Sequence, residues 1–229
     1  MDISLFYQEK GSGIPFILLH GNGEDGGYFK HQTDYFSNNY RMIAVDTRGH
    51  GKSPRGNVPF TMEQFAEDLN NFLIKSGLSQ VIILGFSDGA NIAMKYAIKY
   101  PEKIKALILN SGNLNTTGIK KFTQFLIELN YKIKKIFSEI SESAKIKKEI
   151  WGLMVNEPDI KIEEIQSIII PTLVIVGNND MIKESHSREI AENIPNAELS
   201  IIKGNHFIAN KKPITFNREV EKFLFKALK

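Results

Sequence analysis

Apolar runs rich in Ile, Val and Leu recur at Ile14–Leu19, Met42–Val45, Val81–Leu84, Ile104–Leu109 and Thr172–Val176. Continuous apolar segments of this length read as parallel strands buried on both faces. Between them the apolar period changes to three and four residues, first over Tyr28–Phe36. It returns over Met62–Lys75, where Phe65, Leu69, Phe72 and Leu73 share a side, and over Ala90–Lys99, where Ile92, Ala93, Tyr96 and Ala97 do so. The strand–helix alternation predicts an α/β fold with a mainly parallel, doubly wound sheet. Beyond the 172–176 strand the pattern predicts a helix near Lys183–Asn193, a short strand at Glu198–Ile202 and a closing amphipathic helix from Pro213 to Leu228, with proline in the first turn.

The alternation fails once. From Asn113 to about Pro158 no strand pattern occurs; instead Phe122, Phe125, Leu126, Leu129, Ile133, Ile136, Phe137 and Ile140 recur at helical steps. Residues 113–158 therefore read as a helical insertion into a core made of 1–112 and 159–229. Its apolar stripe either packs on the core or also roofs a pocket. The insertion follows the C-terminal end of a strand, the edge at which open α/β sheets bind ligands, so Phe122, Phe125, Leu126 and Trp151 are candidate pocket residues.

Composition narrows the function classes. A chain of 229 residues with 42% hydrophobic positions suffices for one sizeable core. No segment approaches about 18 uninterrupted apolar residues and the N-terminus lacks a signal-peptide pattern, so a soluble, cytoplasmic protein with no membrane partner is expected. The absence of cysteine excludes disulfides and thiolate chemistry. The formal charge of +3 is local, because residues 113–158 hold eight Lys against five Asp/Glu. That is a solvated helix face rather than the basic stripe of a nucleic-acid binder. No H-x-x-x-H pair or carboxylate cluster stands at metal spacing, so neither metal nor cofactor is expected. Gly51-Lys52-Ser53 resembles the end of a phosphate loop, but the first glycine of that motif would fall at Asp46.

The candidate chemistry centres on Gly85-Phe86-Ser87-Asp88-Gly89, a G-x-S-x-G between a strand and a helix. There a serine occupies a sharp turn that lifts its hydroxyl above the sheet edge, while the glycines permit close backbone approach. The competing reading is that Ser87 caps the helix. A serine nucleophile needs an oriented base, and His206, directly after the last strand, is the best placed of five histidines. The chain order serine, acid, histidine asks for an intervening carboxylate at a strand end. Asp180, four residues beyond Val176, supplies it, whereas Asn110-Ser111-Gly112 offers none. Backbone N–H groups of Asn22, in His20-Gly21-Asn22-Gly23, and of Asp88 are the candidate oxyanion donors.

With these pieces, the chain resembles the α/β-hydrolase superfamily over nearly its whole length. The matching signatures are His20-Gly21, Asp46-Thr47-Arg48-Gly49-His50-Gly51-Lys52-Ser53, the Ser87 elbow, Pro171–Gly177 before Asp180, and Gly204-Asn205-His206. The resemblance implies Ser87 as nucleophile, His206 as base, Asp180 as acid and residues 113–158 as the cap. It also implies that Asp46, Arg48 and His50 brace a loop, and a serine elbow argues against the epoxide hydrolases and dehalogenases, which use aspartate. The expected substrate is a small carboxylic ester or related acyl compound. Thioesterase, lactonase, aminopeptidase and carbon–carbon hydrolase chemistry stay open, as does a non-catalytic ligand-binding role. Asp88 also resembles the elbow aspartate of valacyclovirase-like hydrolases, which suggests an ammonium-bearing substrate; the alternative is an aspartate at the positive end of the following helix. The region before Ile14 has room for about one antiparallel strand, so the sheet is expected to be trimmed from the family's eight.

Overall fold

The computed structural model describes residues 2–229, and among these seven strands form one sheet. They are β1 (Tyr7–Lys10), β2 (Ile14–Leu19), β3 (Tyr40–Val45), β4 (Val81–Phe86), β5 (Ile104–Asn110), β6 (Thr172–Asn179) and β7 (Ala197–Asn205), in the order β1-β3-β2-β4-β5-β6-β7. All neighbours pair in parallel except β1, which runs antiparallel to β3. The sheet is thus trimmed as the short N-terminal region requires, and a single antiparallel strand covers one edge.

The two-residue period of the strands divides the core into two layers. Ile17, Leu19, Ile43, Val45 and Ile83 face one side, where they meet Phe65 and Leu69 of α2 (Met62–Lys75) and Ala93 and Ala97 of α3 (Asp88–Lys99). Phe16, Leu18, Met42, Ala44 and Leu84 face the other. There they pack on Phe36 of α1 (Lys30–Phe36) and on Phe216, Val220 and Leu224 of the closing helix. Helices on both faces explain why the strands read as unbroken apolar runs.

The insertion forms two helices, α4 (Lys121–Ile136) and α5 (Glu142–Asn156). Short helices α6 (Ile162–Ile165) and α8 (Ile208–Lys211), which carry too few residues to show a period, flank α7 (Glu184–Asn193) and precede α9 (Pro213–Ala227). The orientation of α4 decides between the two readings of the insertion, and neither holds. Ile127, on its inner side, joins Ile119 and Ile182 in a small satellite core against which Trp151 packs. The long stripe points outward instead: Phe122 is 72% exposed and Ile136 74%.

Candidate active site

Strand β4 ends at Phe86, and Ser87 then takes φ 53° and ψ −117°, a backbone region that a side chain normally avoids. Helix α3 begins at the next residue. A Cβ on Gly85 would run into the Gly89 carbonyl, and one on Gly89 into the carbonyls of Leu19 and His20, so both flanking glycines are steric requirements of the turn. The Ser87 side chain makes no capping bond to α3, which removes the N-cap reading, and the residue is partly open to solvent in an otherwise buried segment.

Asp180 and His206 meet because of strand register. Strands β6 and β7 pair from Thr172↔Ala197 onward until an irregularity between Gly177 and Asn179 advances the register by one residue, giving Asn179↔Asn205. The residues that follow each strand are therefore level with one another, and His206 Nδ1 lies 2.7 Å from Asp180 Oδ1. Both residues are buried. Burial opposes ionisation of Asp180, but hydrogen bonds from His206, from the Ser111 hydroxyl and from Ile182 N–H outweigh it and hold the carboxyl below its ordinary range. Ser111 Oγ donates to Asp180 Oδ2 at 2.7 Å and Ile182 N–H to Oδ1 at 2.9 Å. With Nδ1 donating to the carboxylate, the His206 Nε2 is left as acceptor. The ring packs on Phe86, the residue before Ser87, with centroids 4.8 Å apart. Ser87 Oγ forms no hydrogen bond among the described residues; such contacts commonly tighten only once substrate is bound.

The other buried histidines have structural partners. His20 Nε2 accepts from Thr47 N–H at 3.0 Å while its Nδ1 faces the Gly21 carbonyl, and His186 Nε2 accepts from Leu114 N–H at 3.0 Å. Burial lowers the pKa of His50 to about 4 and keeps it neutral. Asp46 accepts from Gly26 N–H and Lys52 N–H, each at 2.8 Å, and Arg48 holds Asp68 and Asp2, so that loop is braced as the resemblance implies.

Neither Asn22 N–H nor Asp88 N–H has a protein acceptor among the described residues, so both donors are available at the turn. No local signal marks what the Asn22 side chain does. Its Nδ2 donates to Asp88 Oδ2 at 2.8 Å and to the Ile150 carbonyl of α5 at 2.7 Å, tying the first loop to the elbow and to the cap. Asp88 is buried, and burial raises its pKa to about 6 despite the bond from Asn22.

The pocket residues expected on the insertion are not gathered beneath it. Phe122, Phe125 and Leu126 are 72%, 59% and 39% exposed, because α4 turns Ile127 rather than their face toward the core. Trp151 is half-buried in the satellite core, with the Lys134 ammonium over its ring. Residues of the early loop stand nearer the chemistry. Glu24 accepts from Gly21 N–H at 3.1 Å, and burial raises its pKa to about 7. Tyr28 stacks on Phe86 at 4.4 Å, and its hydroxyl is buried without a partner among the described residues. Their place after His20-Gly21 was the available signal.

Comparison with known proteins finds a family model described as the alpha/beta hydrolase fold matching residues 14–131. An uncharacterized hydrolase, YraK of Bacillus subtilis, is 29% identical over 132 residues, or 55% of this chain and 49% of that relative. The 3-oxoadipate enol-lactonase 2 of Acinetobacter baylyi is 24% identical and aligns with 96% of this chain and 92% of its own. A thermophilic esterase from Thermogutta terrifontis superposes with a TM-score of 0.81 at 23% identity, covering 98% of this chain and 94% of that one.

Proposed function

The chain belongs to the alpha/beta hydrolase fold family, and from that premise we propose that it is a serine hydrolase acting on a small carboxylic ester or related acyl substrate. The observation that carries this reading is the strained backbone of Ser87 at a turn whose flanking glycines admit no side chain. Strain of this kind costs about 1–3 kcal/mol and persists at functional sites because it places a reactive group.

In the proposed reaction the substrate carbonyl oxygen rests against the N–H groups of Asn22 and Asp88. Ser87 Oγ attacks the carbonyl carbon as its proton passes to His206 Nε2, and Asp180 stabilises the imidazolium that forms. Collapse of the tetrahedral adduct breaks the bond to the leaving group, which takes the proton back from His206. A water molecule, deprotonated in turn by His206, then attacks the acyl-enzyme, releasing the acid and restoring Ser87.

A narrower reading adds Asp88 as a substrate-binding residue. The Asp88 carboxylate adjoins the nucleophile, so a cationic substrate group, such as the ammonium of an amino-acid ester, would meet a carboxylate beside Ser87. Labelling by a fluorophosphonate tests the main reading: the folded protein is expected to label and Ser87→Ala not to. Failure of the wild type to label, or equal labelling of the variant, overturns it. For the narrower reading, the ratio of amino-ester to simple-ester hydrolysis is compared in wild type and Asp88→Asn, and an unchanged ratio rejects Asp88 as the selector.

A further inference from the structure

Helix α4 presents an apolar face that none of the other described residues covers. Phe122, Phe125, Leu126, Leu129, Ile133 and Ile136 lie on one side of the helix and are all exposed, and Phe137 and Ile140 continue the stripe. Sixteen helical residues span roughly 24 Å, longer than the scattered apolar side chains a soluble surface ordinarily shows. The charges beside it have a sign. Lys121, Lys132 and Lys135 are exposed and fall along one edge of the stripe at helical spacing, interrupted by Glu128, which accepts from Gln124, and followed by the exposed Glu139. Among the described residues these three lysines enter no ion pair. The opposite edge carries the uncharged Thr123 and Asn130 and then Lys134, whose ammonium covers Trp151.

We propose that α4 is an interfacial docking helix that seats the cap on an anionic phospholipid bilayer. An apolar face flanked by lysines that are long enough to reach upward is the arrangement by which a helix lies in the headgroup region, with its rings and branched chains in the acyl boundary and its ammonium groups on lipid phosphates. Charge decides among the occupants. Lysines outnumber carboxylates along the stripe, so a second copy of the chain would add like charge and a neutral surface would leave the excess uncompensated, whereas anionic lipids match it. No helix among the described residues is long and apolar enough to cross a membrane, so the contact is one of lying on the surface. Ile127 packs α4 on Ile119 and Ile182, Tyr131 lies against Gly152 of α5, and the bond from Asn22 to Ile150 ties α5 to the first loop. The site therefore docks without the cap having to unfold.

The test is co-sedimentation of the whole chain with phosphatidylcholine vesicles prepared with and without phosphatidylserine. Binding is expected to the phosphatidylserine vesicles, to be lost at high salt and to be weak on phosphatidylcholine alone. The variant Phe122→Ser/Phe125→Ser/Ile136→Ser should bind at least about tenfold more weakly, since the replaced side chains supply the apolar contact. Lys121→Gln, Lys132→Gln and Lys135→Gln should each cost about fivefold, the worth of one cation near an anionic surface. Thermal melts of all variants are expected to match the wild type because every replaced residue is exposed. No partition to phosphatidylserine vesicles, equal partition to both compositions, or binding unmoved by either set of substitutions overturns the proposal. So does a wild-type dimer in vesicle-free buffer that the serine variant abolishes, which would assign the stripe to a second copy. The lysine variants keep the test informative if the serine variant fails to fold.

Discussion

Helices α2 and α4 carry nearly the same message and meet opposite surroundings. In α2 the face of Phe65, Leu69, Phe72 and Leu73 is buried against the sheet and α3. In α4 an equally regular face of Phe122, Leu129, Ile133 and Ile136 looks out to solvent. The difference teaches that helical periodicity reports a face in need of cover but does not say what covers it. For α2 the cover is the chain's own core, whereas none of the described residues covers α4.

The largest effect expected in the core is chemical. Ser87→Ala should lower hydrolysis of an activated ester by at least about 10³-fold, as removal of a triad nucleophile does, while the thermal midpoint stays put because Ser87 Oγ bonds to nothing among the described residues. A smaller loss would mean that the strained turn serves something other than attack. The direct comparison of the two helices comes next. Leu69→Ala should cost about 2–5 kcal/mol in chemical denaturation, the range for a buried leucine, and Leu129→Ala less than about 0.5 kcal/mol. Equal costs would show that α4 is covered in the free protein and would break the comparison.

The third test concerns the seam between core and cap. Asp88 has its folded-state pKa raised to about 6, above an unfolded value near 3.8, so its stabilising contribution is complete below pH 4 and is lost as pH rises through 6. Asp88→Asn cannot titrate. Its stability should gain on the wild type across that window by on the order of 2–3 kcal/mol, read from urea midpoints at pH 4 and pH 7.5. Asp180 has the opposite sign: its lowered pKa gives stability present at neutral pH and lost as pH falls through the acid range. A more local effect is expected from Asn22→Ala, which removes the bonds to Asp88 and to the Ile150 carbonyl. The cost is about 1–3 kcal/mol, with faster hydrogen exchange in α5 and unchanged exchange in α2. Uniform acceleration in both helices would mean that the cap and core open together and have no seam.

Much of the site was legible because its parts are local. The glycines at 85 and 89, the serine between them and the acid and histidine after successive strands each carry a short-range signal, and the chain order sorted Asp180 and His206 from their competitors. The contacts that hold these parts were not legible. Ser111 carries no carboxylate and instead donates a hydrogen bond to Asp180. Asn22 reaches Ile150 across 128 residues of sequence, a distance over which no periodicity speaks.

By itself the sequence determined the order of strands and helices, the parallel sheet, the inserted helical segment and the strained elbow, since burial on both sheet faces and steric demand on glycine are written residue by residue. Tertiary structure alone decided two things. One is the register irregularity in β6 and β7 that brings Asp180 and His206 level, because a one-residue advance depends on how two strands pair. The other is the rotation of α4, where packing of Ile127 beneath the helix, rather than the strength of the stripe, sets which face meets water.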